Sequence, residues 1–324
     1  MNHLLLLILF NFAAGTACLI FGVRFMSRGL EESNTRRIRA VLTRFTSRLI
    51  PAFITGTVVT ALVQSSAAVT VITVGFVNSG LLKLTQAVGI IYGANIGTTI
   101  TAQLMSFRLT KLAIPTMVLG AAIRLLARKK TVKSLALSLT GLGLMFTGIN
   151  ILSSGAPLIK ESRYAYELFM NYGSNPYLGL VIGMITTMLV QSSSATVGFT
   201  IVLFNSGLIS LDTAIGLTLG DNIGTCITAQ LASMGTGISA RRTAWAHTLY
   251  NVIGVAAVLL LLGPFTATVR TVTDWTGQDN TRLVANTHTL FNLLSAAVFL
   301  PLTGHYVRFI EWVVREKKEF IRRL

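Results

Sequence analysis

The chain has 324 residues, of which 52% are hydrophobic and 12% are charged. Average soluble domains carry about 25% charged residues, so this composition excludes an ordinary soluble protein and predicts a membrane protein. The net charge of +16 does not indicate nucleic-acid binding, because basic residues of membrane proteins concentrate in their cytoplasmic loops.

Apolar windows of the length of a membrane span recur along the chain. A transmembrane helix needs about 20 predominantly apolar residues. We predict spans at 3–23, 84–107, 112–127, 134–152, 211–234, 244–263 and 285–303. The first window has no Lys or Arg ahead of it, which favours a retained span over a signal peptide.

The positions of Lys and Arg predict the orientation of the spans. These residues cluster at 24–48, 128–133, 241–242 and 308–323. If all four clusters are cytoplasmic, the spans alternate correctly, with the N-terminus outside and the C-terminus in the cytoplasm. The outer side then holds only Arg108, Lys111, Lys160, Arg163, Arg270 and Arg282.

Two further segments have the composition of helices that lie on a membrane surface. The aromatic stretch 156–172 predicts an interfacial helix on the outer side. The basic tail 306–324 predicts a helix on the inner leaflet, which carries anionic lipids.

An internal repeat organises the chain. The segment from Gly56 to Ser106 aligns without a gap with the segment from Gly183 to Ser233, and more than half of the aligned positions are identical. Three predicted spans, at 84–107, 112–127 and 134–152, lie between the apolar windows 50–80 and 177–207, which are equivalent in the two copies. Because this number is odd, the second copy is inverted relative to the first.

Each copy begins with an apolar window that does not fit one crossing. The windows 50–80 and 177–207 are too long for one span and too short for two, which would need more than about 40 residues. Two half-helices fit, each about 20 Å long. We therefore predict re-entrant hairpins, the first open to the cytoplasm and the second to the exterior, with tips that meet near the bilayer midplane.

The centre of each window holds the polar sequence "LVQSS". At a helix break, the serines can cap the first free N–H groups of the exiting half-helix. The positive end of that helix also favours an anion. The alternative is a polar turn that only packs between helices; the duplication favours a binding site.

Downstream of the tips stand "GANIGTTITAQ" at 93–103 and "GDNIGTCITAQ" at 220–230. The glycines permit a broken span, and the Asn and Thr residues offer neutral oxygen ligands for a monovalent cation. Glycine spacing alone is also explained by close helix packing. Asp221 is the sole carboxylate deep in a predicted span, which makes it a candidate for binding Na+ or a proton; structural pairing with a neighbouring donor is the alternative.

The duplicated QSS and G-x-N-I-G-T motifs resemble those of the type II sodium/phosphate cotransporter family and its bacterial relatives. A third duplicated pattern, "AWAHTLYN" at 244–251 and "ANTHTLFN" at 285–292, is similar to that family as well. The resemblance implies sodium-driven movement of inorganic phosphate across the inner membrane of the cell, with Na+ as coupling ion and no other cofactor. It also implies that phosphate and Na+ bind at and near the QSS tips.

The candidate site residues follow from these motifs. For phosphate they are Gln64, Ser65, Ser66, Gln191, Ser192, Ser193 and Ser194. For sodium they are Gln64, Asn95, Thr98, Thr101, Gln191, Asp221, Asn222, Thr225 and Thr228.

The predicted fold is an all-α polytopic membrane protein with two inverted-topology repeats, each with a re-entrant hairpin and a broken transmembrane helix. The predicted parts are a first repeat at 1–110, a connecting span and loop at 111–133, a second repeat at 134–235, and two terminal spans with a basic amphipathic tail at 236–324.

The predicted function is secondary active transport by alternating access. Phosphate, Na+ and the lipid bilayer are the expected partners, and the oligomeric state is open. An anion channel, an uncoupled phosphate exporter and a Na+-coupled carrier of another small anion are the alternatives. The serine-rich tips have no base at a suitable spacing, so we do not expect an enzyme.

Overall fold

The computed structural model describes residues 2–107 and 109–316, which form helices joined by short turns. The helices are α1 (Asn2–Arg44), α2 (Leu49–Val63), α3 (Ser66–Asn78), α4 (Leu84–Ser106), α5 (Ala113–Leu126), α6 (Lys130–Glu161), α7 (Arg163–Tyr172), α8 (Pro176–Val190), α9 (Ser193–Asn205), α10 (Leu211–Thr225), α11 (Ile227–Ser233), α12 (Ile238–Leu260), α13 (Leu262–Trp275) and α14 (Leu283–Val313). Short 3-10 turns at Thr110–Leu112 and Asn280–Arg282 precede α5 and α14. The described chain is therefore all-helical.

Four of these helices are long and apolar enough to cross a membrane by themselves. They lie at His3–Arg44, Lys130–Glu161, Ile238–Leu260 and Asn280–Val313. The pair α7 and α8, bent by 108°, is a fifth candidate if it counts as one span. The chain is thus a multi-pass membrane protein. The predicted spans at 84–107, 112–127 and 211–234 do not meet these criteria and stay predictions, since α5 and α10 are only 14 and 15 residues long.

Several helices extend beyond the predicted windows. The helix α1 continues from the apolar window through the basic region to Arg44. Arginine and glutamate are good helix formers, and Arg28 Nε lies 2.7 Å from Glu32 Oε1 one turn further on. The helix α13, which follows α12 after a break at Leu261, is not among the predicted elements.

The two predicted broken spans differ. In the second copy, the chain breaks at Cys226 between α10 and α11, as predicted. In the first copy, the prediction is wrong, because α4 is one continuous helix. Its glycines allow close packing instead, because glycine has no side chain and can still continue a helix. A Cβ on Gly93 would lie 2.1 Å from the carbonyl oxygen of Phe53, which is too close for any other residue type.

The described parts of the two predicted surface segments are helical, and their placement on a membrane surface stays a prediction. The stretch 156–172 contains the end of α6 and the whole of α7, on which Tyr164, Leu168 and Tyr172 are exposed. In the tail, α14 continues to Val313. Arg108 and the predicted tail beyond residue 316 lie outside the described residues.

The described helices form two compact units. One unit contains Met1–Asn34, Thr101–Thr225 and Leu261–His288, and the other contains Thr35–Ile100, Cys226–Leu260 and Thr289–Leu324. We call them the α8–α10 unit and the α2–α4 unit, after the repeat that each contains. The α8–α10 unit has a core around Leu19, Met145 and Val197.

The core of the α2–α4 unit has an aliphatic part and an aromatic part. Leu42 and Ile90 lie in the aliphatic cluster. In the aromatic cluster, the rings of Tyr92 and Tyr250 lie 4.5 Å apart, and the ring of Phe299 lies 4.9 Å from that of Tyr250. The first pair is tilted and the second is edge-to-face, and such aromatic pairs stabilise a core beyond the area they bury.

In the α2–α4 unit, α4 packs parallel to α2. A Cβ on Gly93 would meet the carbonyl oxygen of Phe53 at 2.1 Å, and a Cβ on Gly97 would meet that of Thr57 at 2.6 Å. From the first contact to the second, both helices advance by four residues in the same direction, so the two helices are parallel. Because only residues 79–83 join α3 to α4, α3 must run back toward the start of α2.

The α8–α10 unit repeats this arrangement. Carbonyl groups of α8 meet glycines of α10 in the pairs Pro176–Gly216, Leu180–Gly220 and Met184–Gly224. The paired residues have the same separation along the chain in both copies. The N–H of Ser210 donates to the carbonyl oxygen of Gly173 at 2.9 Å, so the chain that leaves α9 returns to the beginning of α8.

Candidate functional site

The first QSS tip separates α2 from α3 by two residues with special backbone conformations. Gln64 ends α2 in the left-handed region, at φ 58° and ψ 31°, and its side-chain amide donates to the carbonyl oxygen of Ala61. Ser65 is extended, at φ −148° and ψ 93°, and its Oγ accepts from the N–H of Ala68 at 3.2 Å. The predicted serine cap of the exiting helix is therefore confirmed.

The second QSS tip has the same geometry. Gln191 ends α8 at φ 54° and ψ 35°, and Ser192 is extended, with its Oγ accepting from the N–H of Ala195 at 3.4 Å. Gln64 and Gln191 are the two non-glycine residues with positive φ in the part of the chain that the structure describes. A left-handed conformation costs an L-residue about 1 kcal/mol, and such strain concentrates at functional sites.

The two tips differ in exposure. Gln64 and Ser66 are buried, whereas Gln191 is exposed and Ser192 and Ser193 are partly buried. Ser194 is buried at the start of α9. The glutamine of the second tip is therefore the more exposed of the two.

Asp221 anchors a hydroxyl cluster next to the second tip. Its side chain is fully buried, and Oδ1 accepts from the hydroxyl of Thr187 at 2.9 Å. The hydroxyls of Thr187 and Thr196 lie 2.7 Å apart. Since a hydroxyl carries one proton, Thr196 donates to Thr187 when Thr187 donates to Asp221.

The second carboxylate oxygen of Asp221 has no hydrogen-bond partner among the described residues. A buried carboxylate is costly without a cation or a proton. The cluster of Asp221, Thr187 and Thr196 therefore presents oxygen atoms suited to a hard cation.

The first copy does not have this acid. In the alignment of the two copies, the positions of Thr187, Thr196 and Asp221 correspond to Thr60, Val69 and Ala94. The Thr60 hydroxyl is buried without a partner in the described chain. The two copies thus share their backbone and differ in the charge that they can hold.

The Asn residue of each G-x-N-I-G-T motif has a different environment. Asn95 Nδ2 donates to Asn251 Oδ1 of α12 at 3.0 Å. Asn251 Nδ2 lies 3.2 Å from Cys226 Sγ and donates to the carbonyl oxygen of His247 at 3.1 Å. Asn222 Nδ2 instead donates within α10, to the carbonyl oxygen of Thr218 at 2.8 Å.

Two of the predicted threonine ligands donate their hydroxyl protons to backbone carbonyls of their own helices. Thr98 Oγ1 donates to the carbonyl oxygen of Ala94 at 3.0 Å, and Thr225 Oγ1 donates to that of Asp221 at 2.9 Å. Thr101 is buried and Thr228 is partly buried. As coordinating groups these residues stay predictions.

The structure groups the predicted residues by unit. The α2–α4 unit contains Gln64, Ser65, Ser66, Asn95, Thr98 and Thr228. The α8–α10 unit contains Gln191, Ser192, Ser193, Ser194, Asp221, Asn222, Thr225 and Thr101. Sequence reasoning missed Thr187, Thr196 and Asn251. The two threonines stand four residues before Gln191 and four after Ser192, a spacing that places them one turn from the tip.

Comparison with known proteins shows which family the chain resembles. The profile of the family described as Na+/Pi-cotransporter matches residues 18–154 and 162–277. The protein YqeW of Bacillus subtilis, named as uncharacterized, is 33% identical over 257 residues, which cover 79% of this chain and 83% of that protein.

Further relatives carry functional names. "Putative inorganic phosphate export protein YjbB" of Salmonella typhimurium is 30% identical over 80% of this chain and 48% of its own length. The chain thus spans about half the length of that relative. "Sodium-dependent phosphate transport protein 2A" of Ovis aries is 32% identical over 41% of this chain and 21% of its own length.

Among solved structures, none matches this chain significantly. The family profile nevertheless covers most of the chain, and it includes both QSS tips and both G-x-N-I-G-T motifs. These matches identify the chain as a member of the Na+/Pi-cotransporter family.

Proposed function

We propose that this protein is a secondary active transporter that couples Na+ to the movement of inorganic phosphate by alternating access. The observation that carries the proposal is the repeated tip, in which a strained glutamine and a capping serine recur with the same backbone conformations in both units. The family membership and the names of the relatives support phosphate as the substrate.

Phosphate binds, in this proposal, at the two QSS tips. The helices α3 and α9 begin there, and their N-termini offer N–H groups and the positive end of the helix dipole. Neither tip sequence contains Lys or Arg. Bound cations must therefore neutralise much of the phosphate charge, and each ligand then favours the binding of the other.

Sodium binds close to the tips. Asp221 is the first candidate ligand, because one of its oxygens has no partner among the described residues and the other is held by Thr187. The other proposed ligands are Gln64, Gln191, Asn95, Asn222, Thr98, Thr101, Thr225 and Thr228. Since the first copy has Ala94 in place of the acid, we propose that the two copies bind Na+ with unequal strength.

The hairpins are re-entrant in this proposal, and the two repeats are inverted in the inner membrane of the cell. The parallel packing of α4 on α2 and of α10 on α8 supports the return of each pair to its side of entry. The positions of Lys and Arg support an outer N-terminus and a cytoplasmic C-terminus.

An uncoupled phosphate exporter is the second candidate, because the relatives named YjbB carry the word export in their names. The two candidates differ in their response to a sodium gradient. A coupled carrier accumulates phosphate when Na+ flows inward, whereas an uncoupled exporter moves phosphate down its own gradient in either salt.

Radiolabelled phosphate uptake into proteoliposomes tests the proposal. We expect faster uptake with an inward Na+ gradient than with K+, and a loss of at least about tenfold in Gln64→Ala and Gln191→Ala, since each removes hydrogen bonds to charged ligands. Gln86→Ala is the matched control, because Gln86 lies at the start of α4 and its Oε1 accepts from the N–H of Lys83. Equal uptake in both salts would exclude coupling, and full activity of both tip variants would exclude the assigned site.

A further inference from the structure

Two glutamine–arginine pairs occupy equivalent positions in the duplicated sequence. Gln103 and Gln230 each end a copy of the G-x-N-I-G-T segment, at positions that align between the two copies. Arg241 and Arg282 each stand six residues before the histidine of an "HTL" sequence. Neither arginine forms an ion pair with an acid among the described residues.

The first pair is in contact. Arg282 Nη2 donates to Gln103 Oε1 at 2.6 Å, and its guanidinium lies 4.1 Å from the centre of the Phe107 ring. Gln103 Nε2 donates to Asn286 Oδ1 at 3.0 Å. Asn286 in turn donates to Thr273 Oγ1 at 2.9 Å. These bonds join the end of α4 to α13 and to the beginning of α14, all within the α8–α10 unit.

The second pair is apart. Gln230 Nε2 donates to Thr248 Oγ1 at 2.8 Å. The Arg241 side chain is exposed and has no hydrogen-bond partner in the described part of the chain. Both residues line a cavity of about 490 Å³ in the α2–α4 unit, together with Trp245. The equivalent residues of the first pair are joined by a direct hydrogen bond.

The chemistry of the pairs suits a contact that forms and breaks repeatedly. A hydrogen bond from guanidinium to a neutral amide is stronger than one between neutral groups. When a buried ion pair breaks, a carboxylate is left without its counter-ion, and this step is costly. The bond between arginine and glutamine breaks without that cost, because glutamine carries no charge. An exposed arginine at the entrance of a cavity also attracts anions.

We infer that these pairs are the two gates of the transport path. In the structure, the Arg282–Gln103 gate is closed and the Arg241–Gln230 gate is open. In the opposite state, Arg241 bonds Gln230 and Arg282 releases Gln103. The predicted orientation places Arg282 on the outer side and Arg241 on the cytoplasmic side. This inference rests on the proposed alternating access.

Fluorescence quenching of Trp245 tests the inference. The chain has three tryptophans, and replacing Trp275 and Trp312 with Phe leaves Trp245, which is 40% exposed and lines the second gate. Arg282→Ala removes the bond that holds the first gate closed, which shifts the balance of states about tenfold. We therefore expect acrylamide to quench Trp245 less in Arg282→Ala than in the parent protein.

The matched variants separate a gate from a structural contact. Arg241→Ala cannot close the second gate, so quenching stays at or above the parent value, and the double variant returns toward the parent. Gln103→Leu breaks the same first gate without touching the arginine and should reproduce Arg282→Ala. Arg270→Ala removes an exposed arginine of α13 and should leave quenching unchanged, with circular dichroism confirming the fold of each variant.

Two results would overturn the gates. One is unchanged quenching in both Arg282→Ala and Gln103→Leu, and the other is an equal decrease in Arg270→Ala. Phosphate uptake by the parent protein is measured in parallel. Unchanged quenching in a protein that transports phosphate rejects the gates alone, whereas absent transport rejects the proposed function.

Discussion

Gln64 and Gln191 combine a backbone role and a side-chain role at one position. The left-handed backbone lets the chain end one helix and begin the next within two residues. The amide group provides a donor and an acceptor at the tip. Glycine adopts this conformation at no steric cost, so a glycine substitution separates the two roles.

We predict that Gln64→Gly and Gln191→Gly fold at least as stably as the parent protein but lose phosphate transport. The gain reflects relief of about 1 kcal/mol of left-handed strain at each position, while the loss reflects removal of the amide. Thermal unfolding and proteoliposome uptake measure the two effects on the same preparations. Gln64→Val is the contrast, because a β-branched residue tolerates positive φ poorly and should lower the unfolding temperature. Full transport by both glycine variants would show that the backbone conformation of the tips is sufficient for phosphate binding and that the glutamine amides are not needed.

Asp221 gives a second prediction at this scale. Asp221→Asn keeps an acceptor for Thr187 but removes the charge, so the Na+ concentration for half-maximal uptake should rise about tenfold or more. Asp212→Asn is the control, because Asp212 accepts from the Thr266 hydroxyl and is not a proposed Na+ ligand. An unchanged Na+ dependence in Asp221→Asn would remove Asp221 from the sodium site.

The sequence predicted the tip residues because their motif is duplicated, and it predicted Asp221 because an acid in an apolar window is conspicuous. It could not predict Thr187, Thr196 or Asn251. Threonine and asparagine occur throughout this chain, and only the packing of α8, α9 and α10, or of α4 and α12, brings these residues to the site.

At the scale of the elements, each repeat depends on two parallel helices in backbone contact. A Cβ on Gly220 would lie 2.0 Å from the carbonyl oxygen of Leu180, so any side chain there forces α10 away from α8. A Cβ on Gly75, inside α3, meets nothing within 4 Å. These two glycines therefore form a matched pair for testing the packing.

We predict that Gly220→Ala destabilises the protein by about 3 kcal/mol through overpacking and also lowers transport, because Asp221 is its neighbour on α10. Gly75→Ala should be neutral or stabilising by up to about 1 kcal/mol, since alanine favours a helix interior. Thermal unfolding in the same detergent compares the two. A similar unfolding temperature for both variants would contradict the close packing of α8 and α10.

The elements that sequence reasoning missed share a physical cause. The glycines of α4 suggest a helix break in the sequence, but in the structure they allow close contact with α2. Sequence alone therefore does not distinguish a broken helix from a closely packed one. The helix α1 continues past its apolar window because charged residues with good helix propensity follow it. Hydropathy gives the buried length of a helix, whereas propensity and pairing set its end.

At the scale of the whole molecule, one chain folds two copies of the same hairpin and parallel helix, and the two hairpins lie in different compact units. The register between the paired helices is the same in both copies, since Gly93 faces Phe53 as Gly220 faces Leu180. Because three predicted spans lie between the equivalent windows of the two copies, we predict that the second copy is inverted in the membrane. In the proposed alternating access, each of the two halves exposes its tip to one side of the membrane.

Sided labelling of single cysteines tests this arrangement most directly. Cys18 and Cys226 are replaced with Ser, and one cysteine at a time is placed at an end of a hairpin, at Ser47 or Ser79 for the first and at Ser174 or Asn205 for the second, all of which are exposed. We predict that a membrane-impermeant thiol reagent reaches Ser47→Cys and Ser79→Cys from the cytoplasmic side, and Ser174→Cys and Asn205→Cys from the outside. Labelling of the two ends of one hairpin from opposite sides, or of all four positions from the same side, would contradict the account.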